Sequence, residues 1–161
     1  MAKLESVNDV LMSEVKDLYS AENQLVKALP KMTRAATNPD LKKGFLTHLA
    51  ETKVHVERLT KVAALLEGTP RGKTCKAMKG LIEEGSEVIE ATGDLSMRDL
   101  ALIIAAQKVE HYEMAGYGSA CALAEAIGRK DVMKLLDQTL QEEGATDKKL
   151  SVVSCSMLHP R

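Results

Sequence analysis

The chain has no tryptophan, one phenylalanine and three tyrosines in 161 residues. That scarcity argues against a β-rich fold, whose strands draw heavily on aromatic side chains. Neither sign of charge dominates, with 22 Lys and Arg against 23 Asp and Glu, so the basic excess of a nucleic-acid binder is missing. No apolar run approaches the roughly 18 residues of a membrane span. The start, "MAKLESVNDVLMSEV", is broken by charges and holds no apolar signal core, so a cytoplasmic protein without membrane association is expected. The three cysteines, Cys75, Cys121 and Cys155, are odd in number, far apart and free of any C-x-x-C spacing. This excludes a disulfide framework or zinc ribbon and leaves free thiols as the expectation.

What remains is rich in Ala, Leu, Lys, Glu and Met, all helix formers. Apolar residues recur at helical spacing in five stretches, predicting helices at about 6–36, 39–67, 75–91, 97–127 and 131–154 in a single domain. Ser6 with Asp9, and Ser96 with Asp99, read as capping pairs. Asn38 reads as an N-cap followed by Pro39 at the first helical position. Thr74 is the expected cap of the short third helix. Gly68 and Gly128 mark helix ends. Pro30 falls inside the first pattern and should kink or disturb its last turns. The tail after about 154 is expected to fray.

Four long amphipathic helices predict an all-α four-helix bundle. Short connections make antiparallel hairpins of the first two long helices and of the last two. About 28 residues, including the short helix, separate the two hairpins. Sixteen helical residues cover about 24 Å and a dozen extended ones up to roughly 40 Å, enough to return along the bundle. The second and third long helices can therefore run parallel. One long crossover is the ferritin-like arrangement.

Each long helix carries a glutamate on or beside its apolar stripe: Glu22, Glu51, Glu110 and Glu143. Glu113 lies three residues beyond Glu110, and Asp147 four beyond Glu143, spacings that put both members on one helix face. His55 follows Glu51 by four and His48 precedes it by three. A single helix glutamate is ordinarily a solvated surface residue; Glu142, beside Glu143, is read that way. Four acids recurring at matched depth are different, because converging carboxylates in a low-dielectric interior each cost several kcal/mol. The stripes as read hold no Lys or Arg to neutralise them. Bound cations are the remaining economical solution, and oxygen-rich donors with one or two imidazoles suit iron or manganese better than zinc. The predicted ligands are Glu22, Glu51, His55, Glu110, Glu113, Glu143 and Asp147, with Glu51 and Glu143 as bridges. His48 is either a ligand or a supporting donor; His55 is preferred because Glu51–His55 repeats the spacing of Glu143–Asp147. His111 points away from Glu110 and is placed at a helix interface. Tyr19, Tyr112 and Tyr117 lie near these acids and read first as packing residues whose hydroxyls can orient carboxylates.

The stretches "DLYSAENQLVKAL", "HLAETKVHVERL", "GLIEEGSEVIE", "ALIIAAQKVEHYEMAGYG" and "TLQEEGATDKKL" resemble the YciE/YciF family of bacterial stress-associated proteins over roughly residues 5–153. The resemblance implies a place in the ferritin-like superfamily beside rubrerythrins, a homodimer, and a di-metal centre of two iron ions per chain, or manganese. It implies Glu22, Glu51, Glu110, Glu113 and Glu143 as ligands, and a small oxidant, dioxygen or peroxide, as reactant. The chain departs from the superfamily pattern where Glu-x-x-His is usual: Val54 stands at the third position after Glu51, and the last helix offers Asp147 instead of a histidine. It also lacks the additional cysteine pairs of a rubredoxin-like electron donor, which argues against peroxidase chemistry of the full rubrerythrin kind. The competing expectation is a non-enzymatic helical dimer or scaffold with a buried polar layer and no metal.

Overall fold

The structure, a computed structural model, describes residues 4–160. Among them are five helices and no strand: α1 (Val7–Ala35), α2 (Pro39–Leu65), α3 (Lys76–Glu90), α4 (Leu95–Ala126) and α5 (Lys130–Leu158). The start signals of α1 and α2 act as read. Ser6 and Asp9 form a reciprocal capping box, and the Asn38 side chain accepts from the backbone N–H groups of Asp40 and Leu41 with Pro39 at the first turn. α1 continues past Pro30 to Ala35.

Three local expectations are corrected. α3 is capped by the thiol of Cys75, not by Thr74. The positive φ that ends α2 belongs to Glu67 (57°), and Gly68 has none. A Cβ at Gly68 would meet the flexible end of the Met12 side chain, which would have to shift. α5 does not fray at 154 but runs on to Leu158, held by Val153 and Met157 against the core.

Asp99 is the fourth correction. The cap of α4 is Asp94, which accepts from Ser96 and Met97. Asp99 is buried and reaches across to the α1–α2 turn, accepting from the N–H of Thr37 (3.0 Å), the Thr37 hydroxyl (2.6 Å) and the N–H of Asn38 (2.6 Å). One side chain thereby satisfies donors that a tight interhelical turn would otherwise strand. Asp99→Ala is expected to cost about 2–3 kcal/mol, read as a lowered midpoint in urea unfolding.

Packing defines the topology. α1 pairs with α2 and α4, and α5 with α2 and α4, while α3 lies on α1 and α4. Leu11 and Val15 of α1 meet Leu59 and Val62 of α2, Tyr117 and Ala120 of α4, and Val132 and Leu136 of α5 in one apolar cluster. Leu25, Leu29, Leu41, Phe45, Leu102, Ile103 and Leu150 form the other. The amino-terminal half of α1 thus shares one end with the carboxy-terminal halves of α2 and α4, so α2 and α4 run parallel and α3 belongs to the crossover. α4 approaches α1 closely at Gly116, where a Cβ would press on Leu18 and Glu14. Between the two apolar clusters lies a layer of buried polar groups.

Candidate metal centre

That layer is built from the middles of four helices. Glu22 comes from α1, His48, Thr52 and His55 from α2, Glu110 and Glu113 from α4, and Thr139 and Glu143 from α5, all buried. Glu110 and Glu113 face inward because they continue the stripe of Ile103, Ala106 and Val109 at helical spacing, with Tyr117 one turn on.

Two groups of potential ligands share a member. One atom each of His48, Glu110, Glu113 and Glu143 lie within 4.8 Å of one another, as do one atom each of Glu22, His55 and Glu143. Glu143 stands between them. His48 Nε2 is 3.1 Å from Glu110 Oε1 and 3.8 Å from Glu143 Oε2. His55 Nδ1 is 2.9 Å from Glu143 Oε1 and 3.3 Å from Glu22 Oε1. The Tyr117 hydroxyl donates to Glu22 Oε1 at 2.5 Å.

The residues fit a cation on a direct structural ground. Both carboxylate oxygens of Glu113 and one oxygen each of Glu22 and Glu110 are buried with no hydrogen-bond partner, and Glu143 and the ring nitrogens of His48 and His55 facing it find partners only within the layer. Buried acceptors are nearly always satisfied, and so many orphans in one layer mark a place for positive charge. Protons answer part of that need in the metal-free protein. Burial raises the Glu22 carboxyl and pushes Glu110 up to about 8. It lifts Glu113 well above the usual range, with the charges of Glu22, Glu143 and Glu110 adding to the effect. Burial works against the His55 cation, but Glu143 and Glu22 outweigh it and push the ring up to about 10. Glu110 does the same for His48. Glu143 ends below the usual carboxylate range: burial opposes its ionisation, and the His55 hydrogen bond and the His48 charge prevail.

The second nitrogen of His55 is held from outside. Nε2 lies 2.8 Å from Glu142 Oε2, and Glu142 is gripped by Arg58 at 2.9 and 3.3 Å. Arg58 also donates to Thr139 at 2.5 Å. A carboxylate behind a histidine fixes which nitrogen faces a metal and raises its basicity. The sequence reading missed this chain on two counts. It took Glu142 as surface and found no basic residue on the inner stripes, whereas Arg58 is buried. The available signal was spacing, since Arg58 follows His55 by three and shares its face.

Glu22, His55, Glu110, Glu113 and Glu143 are thus brought together, and His48 joins them. Two other predicted residues are not. Glu51 stands at the rim, its Oε2 3.8 Å from His48 Nδ1 and 3.5 Å from the Thr146 hydroxyl. Asp147 turns to α4, accepting from Gln107 at 3.1 Å and lying 3.3 Å from His111 Nε2. Four residues advance a helix by about 400°, which carries Asp147 past the inward direction toward α4. His111, placed at an interface, has a largely exposed side chain. Tyr112 donates to Asp17 and meets the Cys75 thiol at 3.0 Å, tying the start of α3 to α1 and α4. Cys75, Cys121 and Cys155 are all free thiols. No helix among the described residues is long and apolar enough to cross a membrane.

Comparison with known proteins adds to this geometry. The profile of a family described as a domain of unknown function, DUF892, matches residues 6–157. Protein YciF of Escherichia coli is 47% identical over 149 residues, covering 92% of this chain and 90% of its own. The crystal structure of the E. coli stress protein YciF superposes with a TM-score of 0.94 at 44% identity, over 98% of this chain and 100% of that one. YcfI of Rhodopseudomonas palustris superposes at 0.89 with 42% identity, over 92% and 95% of the two chains. A Xanthomonas campestris protein at 18% identity shares the fold, with a TM-score of 0.76 over 95% and 94%.

Proposed function

Because this chain belongs to the DUF892 family, that of the YciF-like stress proteins with their ferritin-like helical bundle, we propose that its buried carboxylate–histidine layer holds two iron or manganese ions and reacts with dioxygen or peroxide under stress. The observation that carries this reading is the sharing of Glu143 by two ligand groups whose remaining oxygens have no other partner. Glu143 would be shared by the two ions; Glu22 and His55 would hold one with it, and His48, Glu110 and Glu113 the other. Oxygen-rich sites with one imidazole each favour iron or manganese over zinc. A bound pair of either metal supplies electrons one at a time to a small oxidant. The chain's own groups do the rest. Tyr117 orients Glu22, and the Glu142–Arg58 pair keeps His55 Nδ1 aimed inward. The two apolar clusters flank the layer along the bundle axis. The homodimer implied by the family resemblance forms part of the same proposal.

Anaerobic loading with Fe(II) or Mn(II), desalting and elemental analysis test it. About two ions per chain are expected, together with a raised melting temperature relative to chelator-treated protein. Fewer than about one ion per chain and an unchanged melting curve would instead support a scaffold with a polar layer.

A further inference from the structure

A cavity of about 620 Å³ opens between α2 and the last turns of α5 and reaches inward to His48 and Glu110. Most of its wall is apolar: Leu25 and Leu29 form the floor, with Phe45, Val109, Leu150 and Val153 at the sides. Its volume lies within the roughly 300–1,000 Å³ of small-molecule sites. Along α5 it extends from Thr146 to Ser156, ten residues and so about 15 Å. The wall is mainly apolar, with buried polar groups on its inner side and charged ones around its opening.

On the inner side His48 is buried, its Nε2 3.1 Å from Glu110 and its Nδ1 3.8 Å from Glu51. At the mouth stand Lys43, Lys148 and Lys149, against Asp40 and Glu51. His48 and, beyond it, Lys149 hold the Glu51 carboxyl below its usual range. Three lysines against two acids leave the mouth with a net positive charge.

We propose that this cavity binds an amphiphile with a medium-length aliphatic chain and an anionic head group. The chain lies along the apolar wall of Leu25, Leu29, Phe45, Leu150 and Val153, and the head sits at the rim among Lys43, Lys148 and Lys149. Apolar burial drives the chain inward, each methylene contributing about 0.8 kcal/mol. The lysines fix its direction. Binding of this kind does not require metal, so it stands or falls separately from the proposed di-metal centre.

The test uses chelator-treated protein and isothermal titration calorimetry with dodecanoate, hexanoate and dodecylammonium. Dodecanoate is expected to bind saturably at about one per chain, with hexanoate at least tenfold weaker because it buries fewer methylenes. Lys148→Glu/Lys149→Glu, on two exposed positions, should weaken dodecanoate about five- to tenfold and strengthen dodecylammonium. Ala106→Trp, which fills the cavity, should abolish binding while circular dichroism reports an intact helical fold. Absence of saturable binding to the wild-type protein overturns the proposal. So does indifference of both head groups to the lysine reversal, or dodecanoate binding unchanged in a folded Ala106→Trp variant. Binding seen only after metal loading puts the head on the metal and overturns the head-out arrangement.

Discussion

Glu143→Ala is expected to lose both ions, where Glu22→Ala and Glu110→Ala each weaken one. The asymmetry follows from placement: Glu143 belongs to both ligand groups, Glu22 only to the one with His55, and Glu110 only to the one with His48. Removing a ligand from both positions at once leaves two oxygen-poor half-sites. A metal present at 100 to 1,000 times its dissociation constant adds about 2.7–4.1 kcal/mol of folding free energy. In a protein of this size that is a rise of about 5–15 °C in melting temperature. The variant should forfeit this increment. Its metal-free melting temperature should stay within a few degrees of the metal-free wild type, because the substitution removes one anion from a crowded layer and His55 keeps Glu22 and Glu142 as partners. Calorimetric melting with and without metal, alongside elemental analysis, separates the two effects. Retention of two ions by Glu143→Ala defeats the shared-ligand geometry.

Metal loading should release protons and weaken steeply on acidification. In the metal-free layer Glu110 titrates at about 8 and His55 at about 10, and Glu22, Glu113 and His48 are also raised. Near neutral pH these groups hold protons that an incoming cation must displace. Affinity therefore rises with pH, about tenfold per unit for each proton displaced, so roughly a hundredfold per unit where two leave together. Titration calorimetry in buffers of different ionisation heat counts the protons directly; a count of zero at pH 7 contradicts the picture. Stability carries the opposite sign in the metal-free state. A group whose folded pKa is raised gives its full stabilisation below its unfolded value and loses it as pH climbs through the folded one. Glu110 contributes such a loss between about 4.5 and about 8, and His55 between about 6.5 and about 10. Metal-free protein should thus melt at progressively lower temperature across that window. Loaded protein, whose ligands are held by cations instead of protons, should not. The chelator effect on melting temperature should accordingly grow with pH.

The helices and the inward acids were legible from residue order because both follow from local rules. Periodicity of about 3.6 residues assigns a face, and Ser6 with Asp9 or Asn38 with Pro39 assigns a start, without reference to any other helix. Of the four glutamates read at similar depth, Glu22, Glu110 and Glu143 share one layer, Glu113 joins them by its spacing from Glu110, and Glu51 stands at the rim.

Which neighbour a long polar side chain meets was settled only by packing. Glu142 and Glu143 are adjacent in sequence, yet Glu143 joins the layer while Glu142 stands behind His55 with Arg58. Asp99 has the spacing of a local cap and spends it on the turn between α1 and α2. Asp147 has ligand spacing and serves α4. Helical period resolves direction to a sector tens of degrees wide, and side chains of this length can satisfy themselves on either flank of that sector. The distance between axes then chooses. The same distance, between α2 and the end of α5, opens the cleft above His48, a space that no pattern within either helix describes.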